Sequence, residues 1–256
     1  MNLKQTTIEQ LAIHLENAEL QAHEVLKITE AHPEMDWDDA YAIQAEILRR
    51  KLARGNRVVG LKAGLTSFSK MKQMGVSTPV FGWLVDYFSV PDGGEIKHGE
   101  LIHPKVEPEI VFVTKKALKG PGCHIGTVLA ATDFVMPGIE IIDSRYKDFK
   151  FDLKSVIADN CSSTRFVIGS QMTPVAGLDL RTLGVVMEKN GEPVAIGAGA
   201  AVLGGNRHAE ETQLAQLRHD RVGDPAFLFP FAGVGREFRA RSEERRVGKE
   251  CRSRWS

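Results

Sequence analysis

Apolar positions in the first fifty residues recur with helical spacing. Ile8, Leu11, Ala12, Leu15, Ala18, Ala22, Val25 and Leu26 follow this period as far as Pro33, and Thr6-Thr7-Ile8-Glu9 has the spacing of a capping box. Asp36 and Asp39 repeat the start signal, and Tyr41, Ile43, Ile47, Leu48 and Leu52 line a second helix that Gly55 ends. A short strand over residues 58–62 and a short helix over residues 66–74 follow. From Val80 the texture changes to short apolar runs divided by turns. Phe81 to Val90 reads as a strand closed by Pro91-Asp92-Gly93-Gly94, where proline fixes φ and glycine accepts positive φ. Further strands carry Glu107, Glu109 and Glu140, with a helix around residues 126–131 between them, and residues 164–169 form another. Asn190-Gly191 between residues 184–189 and 192–196 is the strongest hairpin signal in the chain. Many short strands behind a helical start predict an α+β protein with a β-rich roll or sandwich, not a doubly wound sheet. The predicted organisation is a helical region over residues 1–79, a β-rich core over 80–205, and an atypical stretch over 206–256.

Composition narrows the function classes only slightly. The 256 residues are 43% hydrophobic and 26% charged, with a formal net charge of zero and a pI near 7.1. This balance offers no electrostatic attraction for nucleic acid or a membrane surface. No apolar run of eighteen residues exists, and the polar residues 1–9 lack a signal-peptide core. Cys123, Cys161 and Cys251 lie far apart without Cys-x-x-Cys spacing, so they read as free thiols in a reducing cytoplasm.

The most informative chemistry is acidic. Glu107 and Glu109 flank Pro108 and lead into Ile110-Val111-Phe112-Val113. Side chains at i and i+2 of a strand share a face, so these two carboxylates lie side by side and repel unless something neutralises them. A hard divalent cation does so, while a solvated strand edge is the plainer alternative. Glu140, set between Ile139 and Ile141, weighs against that alternative, because an acid in a core strand needs a partner.

Four segments resemble one enzyme family: residues 60–67 (GLKAGLTS), 103–109 (HPKVEPE), 139–145 (IEIIDSR) and 158–163 (ADNCSS). They look like the vinylpyruvate hydratase and 4-oxalocrotonate decarboxylase family of the fumarylacetoacetate hydrolase superfamily. The likeness spans roughly residues 6–205. Residues 86–94, 144–153 and 180–188 resemble the decarboxylase branch. The resemblance implies a β-rich fold with Mg²⁺ or Mn²⁺ on Glu107, Glu109 and Glu140. It also implies loss of CO₂ from 2-oxo-3-hexenedioate, a small 2-oxo dicarboxylate, to give 2-hydroxypenta-2,4-dienoate. A metal chelated by the 2-oxo acid polarises the ketone and serves as the electron sink. Hydration of 2-hydroxypenta-2,4-dienoate to 4-hydroxy-2-oxopentanoate is the nearest rival, and an inactive subunit stabilising a hydratase partner is a third reading.

By the same resemblance, Lys62 and Asp86 are the catalytic candidates, and Ser162, Ser163 and Arg145 the substrate-binding ones. Read without it, a lysine ending a strand is a surface residue, residues 160–164 are a polar turn, and Arg145 pairs with Asp143. His103 is either a partner of a metal-bound carboxylate or a satisfied histidine at a strand start. The implied partners are the substrate, further copies of the chain and the pathway hydratase, in the cytoplasm, with neither nucleic acid nor membrane. After residue 205 the likeness stops. The basic, mixed-charge stretch 206–256 reads as frame-shifted, non-native or disordered sequence, with Phe227-Leu228-Phe229-Pro230-Phe231 as its one apolar cluster.

Overall fold

The computed structural model describes residues 1–67, 71–72, 76–118 and 123–202, and the backbone of four short strands within 226–255. Three helices open the chain: α1 (Gln5–Leu20), the single turn α2 (Ile28–Ala31) and α3 (Trp37–Ala53). The acidic start signal of α3 is confirmed. Asp36 accepts from the Asp39 amide and Asp39 from the Asp36 amide, a complete capping box. The box expected at Thr6 is absent, because α1 already begins at Gln5 and its N-cap is Lys4. The same helix stops earlier than its apolar period suggests. Ala22 adopts a left-handed φ of 50° and the His23 amide returns to the Ala18 carbonyl, a Schellman-type ending. Val25 then leaves the helix line and bridges to Tyr146.

The strands are β1 (Val58–Gly64), β2 (Val80–Val85), β3 (Ser89–Val90), β4 (Glu95–Lys97), β5 (Lys105–Thr114), β6 (Thr132–Ile142), β7 (Ser163–Ile168), β8 (Thr173–Pro174), β9 (Gly184–Lys189) and β10 (Glu192–Ala198). Helix α4 (Ile125–Ala131) precedes β6, and α5 (Leu153–Ala158) precedes β7. The hairpin at Asn190-Gly191 is present, with φ of 54° and 86° at its two turn residues, as a twist-matched two-residue turn requires. Of the stretch 206–256 most lies outside the described residues. Within it lie β11 (Ala226–Pro230), β12 (Arg236–Glu237), β13 (Glu244–Arg246) and β14 (Cys251–Trp255).

The main sheet runs β2-β1-β11-β5-β6-β7-β3. Its two ends, β2 and β3, are joined by only the three-residue turn Asp86–Phe88. Strands at opposite ends of a seven-strand order can be that close only if the sheet curls on itself, so the fold is a roll. One face of β2, β5 and β7 turns Leu84, Val111 and Phe166 into a shared apolar cluster inside this roll. Outside it, Leu61, Phe81, Trp83 and Phe112 pack against Val128 and Ala131 of α4. The helices form a second layer, where Ile8, Ala12 and Leu15 of α1 meet Ile43 and Ile47 of α3 and Ile157 of α5. Gln44 stitches the layers together, its amide donating to the carbonyls of Phe81 and Ile157 at 2.9 Å each. Strand β1, within the region read as helical, belongs to the sheet and brings Lys62 with it. Beyond α3, the described residues of that region are helical at Met71 and Lys72, within the helix expected over residues 66–74.

Candidate active site

Antiparallel pairing of β5 with β6 sets Glu107 opposite Glu140 and Glu109 opposite Gly138. Because Glu107 and Glu109 share a strand face, this register alone gathers all three carboxylates on one side of the sheet. Pro108 falls between the parts of β5 that pair with β11 and with β12, where a missing donor is tolerated. A Cβ at position 138 would lie 2.6 Å from a Val111 methyl, so glycine there lets the strands stay close beside Glu109.

One ligand oxygen from each glutamate lies within 4.8 Å of the others. Opposite ligands of an octahedral Mg²⁺ are roughly 4 Å apart, so the spacing fits such an ion. Glu109 and Glu140 are fully buried and Glu107 half-buried. Neither Glu109 oxygen accepts a hydrogen bond among the described residues. The cationic neighbour is Lys62, also buried, whose ammonium lies 3.3 Å from Glu140 Oε2 and donates to the Cys161 carbonyl at 3.3 Å.

The electrostatics follow from this composition. Burial, then the neighbouring carboxylates Glu140 and Glu107, push the Glu109 carboxyl well above its ordinary range, and Lys62 offsets them only partly. Burial also raises Glu140 to about 7, against the pull of Lys62. For Lys62 burial acts downward, but Glu140 and Glu107 outweigh it and the ammonium is held above its usual range. Three carboxylates around one ammonium leave an excess of acid over cation in a largely buried site. A divalent cation fits these residues.

The opposite wall is a turn at Asn160–Ser162, where three consecutive non-glycine residues have φ of 48°, 51° and 60°. It presents the Cys161 carbonyl to Lys62. The hydroxyls of Ser162 and Ser163 are buried there without a hydrogen-bond partner among the described residues. Burial pushes the Cys161 thiol up to about 12, and it points to the Phe81 carbonyl, so it is no nucleophile.

The other candidates are placed elsewhere. Asp86 follows Val85, the partner of Val58, whereas Lys62 pairs with Gly82; four residues of strand, roughly 13 Å, separate the two levels. Asp86 instead lies 3.5 Å from Arg57 and caps the Tyr87 amide, so the structure does not bring it to the lysine. Arg145 is buried and its guanidinium is engaged by protein groups: the Asp159 carboxylate and carbonyl, the Asp143 and Ser163 carbonyls and the Thr164 hydroxyl. It braces the chain behind the turn, with each of its three nitrogens donating to protein groups. His103 pairs with Glu24 at 2.8 Å, not with a metal-ligand carboxylate, and Asp143 accepts from the amides of Ile102 and His103. Sequence reasoning missed Gly82 and Asn160, both of which shape the wall beside Lys62. Asparagine's tolerance of left-handed backbone was the one available signal.

No protein-family model matches the chain. A 4-oxalocrotonate decarboxylase of Pseudomonas sp. (strain CF600) is 69% identical over 194 residues, 76% of this chain and 74% of that protein. The chain belongs to the 4-oxalocrotonate decarboxylase and dienoate hydratase family. The hydratase side is represented by a 2-hydroxyhexa-2,4-dienoate hydratase of Comamonas testosteroni, 44% identical over 72% of this chain and 70% of that one. The solved 4-oxalocrotonate decarboxylase of Pseudomonas putida G7, complexed with magnesium and adipate, superposes with a TM-score of 0.86 at 51% identity, over 98% of this chain and 97% of that one. A yeast fumarylacetoacetate hydrolase family protein, 11% identical, superposes with a TM-score of 0.51 over 77% of this chain and 91% of that one. The roll is therefore of the fumarylacetoacetate hydrolase type. Among the described residues no helix is long and apolar enough to cross a membrane.

Proposed function

We propose that the chain is a metal-dependent carboxy-lyase that decarboxylates 2-oxo-3-hexenedioate to 2-hydroxypenta-2,4-dienoate and CO₂. The observation that carries this reading is the excess of buried carboxylate over buried cation at Glu107, Glu109, Glu140 and Lys62. Its direction toward decarboxylation comes from the 69% identical decarboxylase relative, set against 44% for the hydratase. The same comparison makes hydration the secondary reading.

Glu107, Glu109 and Glu140 would hold Mg²⁺ or Mn²⁺, which supplies the positive charge that draws electrons toward the ketone of a 2-oxo acid. In the reaction the bond between C5 and the distal carboxylate breaks. Its electron pair forms the C4–C5 double bond, the C3–C4 pair moves to C2–C3, and the ketone oxygen takes the charge. Lys62 is the proton carrier beside that oxygen: its ammonium, kept protonated by Glu140 and Glu107 and anchored on the Cys161 carbonyl, has a proton to give there. Ser162 and Ser163 offer hydroxyl donors with no competing partner among the described residues, suited to a substrate carboxylate. Burial of the wall removes water that would otherwise stabilise the departing carboxylate as an anion. The assignment of Asp86 and Arg145 as direct participants is not carried forward, because one lies along the strand from the site and the other is spent on Asp159.

The implied assembly, several copies of the chain beside the pathway hydratase in the cytoplasm, remains part of this proposal, and sedimentation of the protein with and without hydratase tests it. The function itself is tested by incubating the protein with Mg²⁺ and 2-oxo-3-hexenedioate and measuring CO₂. Metal-dependent release is the expected result. Conversion of 2-hydroxypenta-2,4-dienoate to 4-hydroxy-2-oxopentanoate without any CO₂ from the dicarboxylate would instead establish the hydratase.

A further inference from the structure

We propose that Asn160 is a positioning residue that holds the left-handed turn, and through it Lys62 and the hydroxyls of Ser162 and Ser163, in working register. The inference rests on the role given to Lys62 above.

Strand β2 ends the sheet order, and its outward edge needs partners. At Trp83 both backbone groups are taken by one side chain: Asn160 Oδ1 accepts from the Trp83 amide at 2.7 Å and Nδ2 donates to the Trp83 carbonyl at 2.9 Å. The carboxamide thus replaces the backbone of a missing neighbouring strand. One residue further back, Gly82 stands opposite Lys62 on β1. A Cβ on Gly82 would lie 2.5 Å from the Asn160 carbonyl oxygen and 3.0 Å from the Ser163 hydroxyl. The turn therefore rests directly on Gly82, and this contact brings the Cys161 carbonyl to the lysine.

Left-handed backbone is ordinarily visited by single residues, not by a run of Asn160, Cys161 and Ser162. A run of this kind persists only when its surroundings over-determine it. From behind, Arg145 grips the Asp159 and Ser163 carbonyls. From the front, the turn meets β2 through the clamp on Trp83 and through the Cys161 thiol on the Phe81 carbonyl, and the clamp is the one that takes both backbone groups of a residue. Without it the front keeps the single thiol contact, and the carbonyl and hydroxyls lose their fixed distance to the ammonium.

The test is Asn160→Gly, which removes the clamp while leaving a residue that accepts positive φ, compared with Asn160→Asp, which keeps the acceptor for the Trp83 amide and loses only the donor. The expected result is a fall in kcat of about tenfold or more with Mg²⁺ affinity changed less than about twofold. In a Lys62→Ala background, followed by single turnover, adding Asn160→Gly lowers the residual rate by a clearly smaller factor than it lowers the wild-type rate, because the part of its effect that runs through Lys62 is already lost. Wild-type kcat in a folded Asn160 variant overturns the proposal, as do effects that multiply in the double variant. If neither variant folds, Asn160 belongs to the folding framework and the proposal falls. A crippled Lys62→Ala beside an active Asn160→Gly sinks this inference alone, whereas full turnover by Lys62→Ala sinks the lysine reading and this inference with it.

Discussion

Two buried charge clusters in this protein use similar side chains to opposite ends. Between α1 and α3, Glu16 and Glu19 face Arg50, Lys51 and Arg54: Glu16 pairs with both arginines and Glu19 with Lys51 at 2.6 Å. Tyr87 donates to Glu19 and accepts from Lys51, which closes the network. In the roll, Glu107, Glu109 and Glu140 face Lys62. Burial acts upward on Glu19, Glu109 and Glu140 alike. At Glu19 the neighbouring Lys51 and Arg145 outweigh it and the carboxyl is held below its ordinary range, whereas Glu109 and Glu140 are driven upward. Buried acids as such do not identify a site. An excess of them over available cations does, because it leaves affinity for something the chain does not supply.

The sharpest way to break this comparison is to neutralise one acid in each cluster. Glu109→Gln, Glu140→Gln and Glu107→Gln are each expected to lower kcat by at least about a thousandfold, since each removes an anionic ligand from a hard-cation site. For Glu107→Gln and Glu109→Gln the melting temperature without metal stays level or rises, because repulsion is relieved while the Lys62–Glu140 pair is kept. Glu19→Gln has the reverse signature: it strands Lys51 in the helical layer and costs about 3–5 kcal/mol of stability, while the folded fraction keeps its Mg²⁺ affinity. Steady-state assays and denaturant melts on the same preparations separate these outcomes. A catalytically dead but stable Glu19→Gln would erase the distinction.

Lys62→Ala should cost roughly 10²–10⁴ in kcat, the range for loss of a positioned proton carrier. Mg²⁺ affinity measured by calorimetry should not weaken, since the ammonium competes with the ion for Glu140. Loss of metal binding together with activity would show that the lysine organises the ligands instead.

A smaller effect concerns pH. Between the ordinary carboxylate value of 4.5 and about 7, the folded protein without metal keeps protons on Glu140 that the unfolded chain has released. Stability from this group is therefore lost as pH rises through that window. Glu19, whose folded value is depressed, has the opposite sign: its contribution is present above the ordinary value and is lost as pH falls through the folded one. Melts carried from well below the ordinary carboxylate value up to pH 8 should show Glu140→Gln flattening the upper window and Glu19→Gln altering the acid limb.

Legibility in the sequence divides along similar lines. The Glu triad was readable because strand periodicity sets which side chains share a face, and an acid between isoleucines demands a partner. The Asp36–Asp39 cap and the Asn190-Gly191 turn were readable because local chemistry fixes them. Periodicity carries no information on strand order. Asp86 came from the family resemblance, and the structure places it in the turn that follows β2, beside Arg57 and away from Lys62. Arg145 was ambiguous for a related reason: a motif shows that a guanidinium is present, while only packing shows that Asp159 consumes it. The stretch 206–256 was expected from sequence to lie outside the family pattern, and the backbone of Ala226–Pro230 lies between β1 and β5. An apolar cluster such as Phe227-Leu228-Phe229 has strand character in any context, and its neighbours are chosen by the rest of the sheet.

The central claim, that the excess carboxylate of the roll is a divalent-cation site, is tested most directly by titrating metal-free protein with Mg²⁺ at pH 8, for the unmodified chain and for Glu109→Gln. One ion per chain, a melting temperature that rises with Mg²⁺, and loss of both in the variant are the predicted results. Absence of binding in the unmodified chain, or equal binding in the folded Glu109→Gln protein, would contradict the account.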